Sequence, residues 1–413
     1  MTDSQRPPIK TEHGIAHCQN ISSKLRSGAI ISFAARYADL FIQLGITALL
    51  SRLLSPSEFG VIAVVMVLVV FFAIFSEAGL GVAVVQEGNL SRDDISTLFN
   101  LSLLLGASLG LLFFFSGGVI ASFYSNPVYK GIARWLSMTL FFSTLNIVPQ
   151  ALLRKRQRFA LHGVLQITAS ALSGILAVIF ALKGKSYYSL VYKSVFSSVL
   201  FFFLCAFAAK LPVSRVFLTG TVKRVASFSL FQFLFNFINY FSRNLDKLLV
   251  GRYLGMAPLG YYEKSYRLMM LPLQSFTFAL SPILHPILAE YRDTPDAIYH
   301  AYLRISRLMA FVGFPLSVFL AYSSREIILI IFGQQWLESV PVFQILSFSV
   351  GIQMVLSLSG SIFQSAGRTD LLFVSGFLSA ILMVSGTMLG IVYHSLNILA
   401  WGLVAAFSIN FFP

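Results

Sequence analysis

The chain has 413 residues, 57% of them hydrophobic and only 11% charged, with a mean hydropathy of +0.79. A soluble globular domain carries about 25% charged residues, so this composition excludes one. The formal net charge of +14 would suit an anionic polymer, but its distribution along the chain assigns it to membrane topology instead.

Residues 1–26 are polar and lack the apolar core of a secretory signal. They read as a cytoplasmic tail, with the first span acting as an uncleaved insertion signal. Twelve spans are expected, near 27–50, 59–81, 95–118, 135–153, 160–182, 187–209, 225–250, 258–288, 303–324, 340–363, 371–393 and 396–413. Several of these runs reach the roughly 20 apolar residues that a helix needs to cross a bilayer. They do not alternate as barrel strands would. With the amino terminus inside, the cytoplasmic loops and adjoining span ends hold seventeen of the 30 Lys and Arg residues, among them Arg304 and Arg307, and those of the opposite side nine, among them Lys264 and Arg267. That bias follows the positive-inside rule and leaves no charge excess that calls for nucleic acid. The chain therefore divides into the tail 1–26, a lobe 27–209, a cytoplasmic connector 210–224 and a second lobe 225–413. The connector, with Pro212, Gly220 and four basic residues, suits a segment lying at the lipid surface.

The first and seventh spans are one segment written twice. Ser27, Phe33, Leu49, Arg52, Leu54 and Gly60 return 200 positions later as Ser227, Phe233, Leu249, Arg252, Leu254 and Gly260. Polar residues within each copy, Ser32, Arg36, Asp39, Gln43 and Thr47 against Gln232, Asn236, Asn239, Arg243 and Lys247, step by 4, 3, 4 and 4. That spacing lays a single polar stripe along an otherwise apolar helix. Six spans per copy give both halves the same orientation, related by a pseudo-twofold axis along the membrane normal.

Charges near the bilayer centre cost about 2.5–3.5 kcal/mol each on insertion scales, so they face a partner or a wet cavity. The set expected here is Arg36, Asp39, Glu77, Lys193, Arg243, Asp246 and Lys247. Arg36 with Asp39, and Arg243 with Asp246, are three apart and could simply pair on their own helices. Recurrence of the stripe in both copies favours a shared cavity. Its cations, Arg36, Lys193, Arg243 and Lys247, outnumber its acids and suit an anionic substrate, since guanidinium matches phosphate geometry. These four cations with Gln43, Asn236 and Asn239 form the expected substrate-binding set, and Asp39, Glu77 and Asp246 are the carboxylates available for ion coupling. Only His285 among the six histidines lies deep in a span. Pro272, Pro282, Pro286 and Pro315 should bend the eighth and ninth spans, as static kinks or as a moving element. Hydrolase, zinc-protease and phosphate-cradling motifs are missing, and Cys18 and Cys205 sit in places that suggest neither a disulfide nor a metal, so no catalysis, cofactor or metal is expected.

Leu53-Leu54-Ser55-Pro56-Ser57-Glu58-Phe59-Gly60, Gly79-Leu80-Gly81-Val82-Ala83-Val84-Val85-Gln86, Pro149-Gln150-Ala151-Leu152-Leu153-Arg154 and Asn244-Leu245-Asp246-Lys247-Leu248-Leu249-Val250-Gly251-Arg252 carry a family likeness. The chain resembles Wzx-type polysaccharide flippases of the MOP exporter superfamily, most closely the colanic-acid-exporter type. The resemblance implies an all-α fold of two six-helix lobes in the bacterial inner membrane. It also implies movement of an undecaprenyl-diphosphate-linked oligosaccharide to the outer leaflet, working beside a polysaccharide polymerase and chain-length machinery, for lipopolysaccharide, capsule or exopolysaccharide. Relatives of that type often have fourteen spans, so the twelfth span, ending at Pro413, is expected to be cut short. A cation-coupled multidrug antiporter of the same superfamily is the alternative, followed by a membrane polysaccharide polymerase or ligase.

Overall fold

The computed structural model describes residues 34–76, 80–86, 90–212, 230–290, 295–357 and 369–411, with isolated positions 214, 218, 359, 360 and 363 between them. Among these residues the chain is helical throughout, with helices at all twelve expected spans. They are α1 (34–53), α2 (Pro56–Ser76), α3 (Leu80–Gln86), α4 (Arg92–Phe123), α5 (Val128–Leu145), α6 (Ile147–Lys155), α7 (Phe159–Leu182) and α8 (Tyr188–Ala209) in the first half. The second half supplies α9 (Leu230–Tyr253), α10 (Met256–Glu290), α11 (Pro295–Tyr322), α12 (Ser324–Ile331), α13 (Ser339–Ser347), α14 (Val350–Leu356), α15 (Thr369–Val392) and α16 (Leu396–Ile409). Among the described residues seven stretches are long and apolar enough to cross a membrane, one of them being α5 and α6 taken together. The stretches α9 and α10 fall outside that group, being the ones interrupted by Arg243, Asp246 and Lys247 and by Glu263, Lys264 and Arg267. A span shielded by its neighbours tolerates such charges where a lipid-facing one does not.

Two expected single spans are each built from two helices. The fourth divides at Asn146 into α5 and α6. The tenth, expected as one segment 340–363, bends by 47° between α13 and α14. Serines accommodate that bend: Ser347 and Ser349 donate their hydroxyls to the carbonyls of Phe343 and Leu346 at 2.6 and 2.7 Å. Hydroxyls that bond back to the preceding turn compete with the helical ladder and favour such a kink. Pro315 lies inside α11, while the side chains of Pro282 and Pro286 lie outside the described residues.

The turn from α1 into α2 shows why Ser-Pro-Ser-Glu stands there. Pro56 opens α2, where its missing N–H costs nothing, and the Glu58 carboxylate accepts from the Ser55 N–H at 2.6 Å and the Ser55 hydroxyl at 2.8 Å. The second Glu58 oxygen accepts from the Ser186 hydroxyl in the turn between α7 and α8. Of the connector, residues 210–212, Ser214 and Leu218 are described. Pro212, Ser214 and Leu218 dock on the start of α4 through Ser96 and Asn100, which donate to the carbonyls of Pro212 and Ser214, and through Thr97, which accepts from the Leu218 N–H.

The lobes meet where the repeat begins. A methyl group added at Gly60 would lie 2.7 Å from the Met256 carbonyl carbon, and one added at Gly260 would lie 2.8 Å from that of Pro56. Each glycine thus touches the backbone at the position matching its partner's partner, since 56 and 256, and 60 and 260, are repeat-related. Such reciprocity is what a twofold axis passing between α2 and α10 produces. Trp336 and Gln335 close the same end by donating to the Ser51 carbonyl, the indole at 2.8 Å, and Arg52 donates to the Ile330 carbonyl at 3.0 Å. Farther along, Tyr240 donates to the Val67 carbonyl and Tyr124 to that of Leu248, the latter at 3.1 Å.

Backbone atoms cannot move aside for a side chain. Gly60→Ala and Gly260→Ala should each destabilise the folded protein by about 1–3 kcal/mol, the usual cost of overpacking. Gly118→Ala, at an exposed position with nothing within 4 Å, should leave stability unchanged. Thermal unfolding of the detergent-solubilised protein checks the contrast, and equal midpoints for all three variants would contradict it.

Candidate functional site between the lobes

The stripe of the first copy lies on α1. Arg36 is exposed, Asp39 and Gln43 are half-buried and Thr47 is buried. One Asp39 oxygen accepts from the Gln43 amide at 3.0 Å and from the Gln166 amide of α7 at 3.4 Å. Its other oxygen, Oδ1, is buried with no hydrogen-bond partner. Asp39 is therefore held from two helices by neutral donors, one from its own stripe and one that the sequence did not single out. Lys193 of α8 is half-buried, within electrostatic reach of Asp39 and of Arg267 on α10. This brings the first helix of one lobe, the last helix of that lobe and the second helix of the other to one place.

In the second copy, the side chains of Asn236, Asn239 and Arg243 lie outside the described residues, as do Glu77 and the His285 side chain. Asp246 is 5% exposed. Its Oδ2 accepts from the Tyr262 hydroxyl of α10, and its Oδ1 from the Lys247 backbone N–H at 2.8 Å. A carboxylate buried this deeply is tolerable because donors from two helices are aimed at it. Beside it, Leu245, Leu249, Met383, Val384 and Thr387 line a narrow cleft between α9 and α15. Half-buried Lys247 extends toward Asn244 Oδ1 at 3.4 Å, with its ammonium 5.6 Å from the centre of the Tyr266 ring.

Sequence reasoning missed Glu263, Lys264 and Arg267. Lys264 and Arg267 were counted only with the charges of the outer side, at the head of the span expected over 258–288, and both lie inside α10. Three charges among five residues, 263–267, near the head of the expected eighth span were the available signal. Arg267 is exposed, and its charge reaches Lys193, Glu263 and Lys264. Lys264 is 1% exposed, its ammonium 3.6 Å from the centre of the Phe59 ring, 5.0 Å from Phe332 and 5.3 Å from Trp336. A desolvated ammonium over aromatic faces gains about 2 kcal/mol or more, which offsets part of the cost of burial. Among the described residues no cluster of three or more metal-ligating side chains occurs.

Two lobes of six spans that meet on a twofold axis are the architecture of a polytopic membrane protein. The fold is shared with the solved lipid II flippase MurJ in its inward closed conformation, at a TM-score of 0.74 and 15% identity, covering 93% of this chain and 85% of that one. A family model described as polysaccharide biosynthesis protein matches residues 49–341, and the chain belongs to that family. Similar proteins include the teichuronic acid biosynthesis protein TuaB of Bacillus subtilis, 26% identical over 86% of this chain and 74% of that protein. The succinoglycan biosynthesis transport protein ExoT of Rhizobium meliloti is also 26% identical, over 84% of this chain and 70% of its own length.

The contact between Asp246 and Tyr262 is open to a double-mutant cycle. Tyr262→Phe should be destabilising, because it removes a donor from a buried carboxylate, and much of that loss should vanish when Asp246→Asn is already present. A coupling energy of about 0.5–3 kcal/mol from thermal or chemical unfolding is expected. Strict additivity would mean that the hydroxyl does not serve the carboxylate.

Proposed function

We propose that this protein is a flippase that carries an oligosaccharide linked to undecaprenyl diphosphate from the inner to the outer leaflet of the bacterial plasma membrane. The supporting observation is the charge collected where the lobes meet. Arg36, Lys193, Lys247 and Arg267 come from four helices of both lobes, in a family of polysaccharide biosynthesis proteins. A diphosphate offers two adjacent anionic groups, and guanidinium binds such oxygens through paired N–H donors where an ammonium acts as a point charge. In this reading Arg36 and Arg243 hold the diphosphate and Lys193 and Lys247 complete the cationic field. Gln43, Asn236 and Asn239 meet the sugar or the water around it. Alternating access would open the face between the lobes first to one side and then to the other.

The names of relatives support this reading over the membrane polymerase or ligase, ExoT being called a transport protein. Asp39 and Asp246 remain the proposed coupling groups, together with Glu77. The unpartnered oxygen of Asp39 supports a bound proton or cation there in part of the cycle. The amino terminus and the loops around Arg156, Arg224 and Arg292 would then be cytoplasmic, with the turns at 183–187 and 252–258 on the outside. A polymerase and its chain-length machinery would take over the delivered repeat unit.

Arg36→Ala should abolish surface polysaccharide while protein abundance is kept, and Arg36→Lys should restore it only in part, because a point charge loses the bidentate geometry. Extracted polysaccharide and immunoblotting check both. Normal polysaccharide from the alanine variant would remove Arg36 from the substrate site. Labelling of cysteines introduced at Arg156 and Lys185 should place them on opposite faces of the membrane, and labelling from one face would refute the orientation.

A further inference from the structure

Lys264 is absent from the stripe, and nothing in the flippase reading requires a lysine to be hidden. It stands one helical turn beyond Gly260, on the face where α10 crosses α2. Its cover comes from both lobes. Phe59, adjacent to Gly60, belongs to the first lobe and lies 3.6 Å from the ammonium, while Phe332 and Trp336 belong to the second. The cover is itself tied across the interface. Trp336 packs edge-on against Phe59, with ring centres 5.4 Å apart, and its indole donates to the Ser51 carbonyl of the first lobe at 2.8 Å. Glu263 lies within electrostatic reach and attracts the ammonium, while Arg267 and Lys193 repel it.

The geometry points to Lys264 as a loaded latch, a cation stored beneath Phe59 while this end of the interface is shut and released to water when the lobes part. Any separation of α2 from α10 large enough to break the contacts of Gly60 and Gly260 carries Phe59 away from Lys264, because Phe59 precedes Gly60 and moves with it. The ammonium then regains its hydration, which favours opening. While the end is shut, the three rings return only part of that hydration, which keeps the shut state from becoming a trap. A pair of states must lie within a few-fold to a few hundred-fold of each other for a substrate to shift the balance, and a partly compensated buried charge holds them there. The latch deepens the alternating-access part of the proposed function, but it needs only that the two lobes separate at this end, whatever the cargo.

This account assigns opposite signs to two substitutions. Lys264→Met fills the same cage with an apolar side chain that has no hydration to recover, and sulfur packs well against aromatic rings. It should therefore favour the shut state. Phe59→Ala strips the first-lobe face of the cage and should favour the open one. Spin labels on cysteines at the exposed positions Ser57 and Glu338, in a full-length background carrying Cys18→Ala and Cys205→Ala, report the separation across this end by pulsed dipolar spectroscopy in liposomes. The ratio of short to long distances should rise roughly tenfold or more with Lys264→Met and fall by a similar factor with Phe59→Ala. Should Phe59→Ala fail to fold, Phe59→Leu keeps the volume, loses the ring and should shift the ratio in the same direction to a smaller extent. Unchanged distances, or shifts of one sign for Lys264→Met and the Phe59 variant, would overturn the latch. Distances that shift as stated, alongside surface polysaccharide unaffected by Arg36→Ala, would sustain the latch and count against the proposed cargo site alone.

Discussion

The crossing of α2 over α10 at Gly60 and Gly260 is the constraint on which the rest of the structure depends. Helices normally pack 8–10 Å apart because their side chains intervene. Here two glycines let backbone meet backbone, Gly60 against Met256 and Gly260 against Pro56. Close approach of small residues is how helices associate within lipid, where no hydrophobic gain separates a helix neighbour from an acyl chain. Reciprocity gives the contact its architectural weight. One kind of contact, made twice about an axis, fixes the relative placement of two six-helix bodies with little additional surface.

From that crossing follows the environment of the charges. A residue one turn from Gly260 is pressed against the opposite lobe and sealed, as Lys264 is. Arg267, on the same helix and three residues further on, is exposed. Burial and exposure thus alternate around one helix, according to whether the face meets α2 or the space flanked by α1, α8 and α10. Each buried charge is met differently. Asp246 receives donors, Lys264 receives aromatic faces, and Asp39 receives two amides on one oxygen and none on the other. A carboxylate oxygen left without a donor, as in Asp39, suits a group whose surroundings change during work.

The two proposals join here. A substrate with a diphosphate gives the exposed cations something to bind, and its differential affinity for two arrangements of the lobes is what moves them. The latch at Lys264 sets how far that affinity has to reach. Only the first depends on what the cargo is, whereas the second depends on how α2 and α10 come apart.

Periodicity of apolar runs, the distribution of Lys and Arg, and the 200-residue repeat were enough to determine a helical membrane protein, its twelve spans and its division into similar halves. These are properties of neighbouring residues and of repetition, and the 3.6-residue helical period makes them readable locally. The family likeness rested on runs such as Ser55-Pro56-Ser57-Glu58, whose capping chemistry is equally local. Tertiary structure alone decided which charges meet. Spacing offered Asp246 a partner on its own helix, and could not show the donor that reaches it from another helix, Tyr262. Lys264 looked like an ordinary charge at the outer end of a span, because Phe59 and Trp336, which enclose it, lie 205 residues before and 72 residues after it in sequence. The bend between α13 and α14 was hidden for a similar reason, since apolar composition fixes that a segment enters the membrane and its packing fixes whether it does so straight. A helix face can be read from spacing. What presses on that face depends on how closely two backbones can approach, and here that was set by two glycines 200 residues apart.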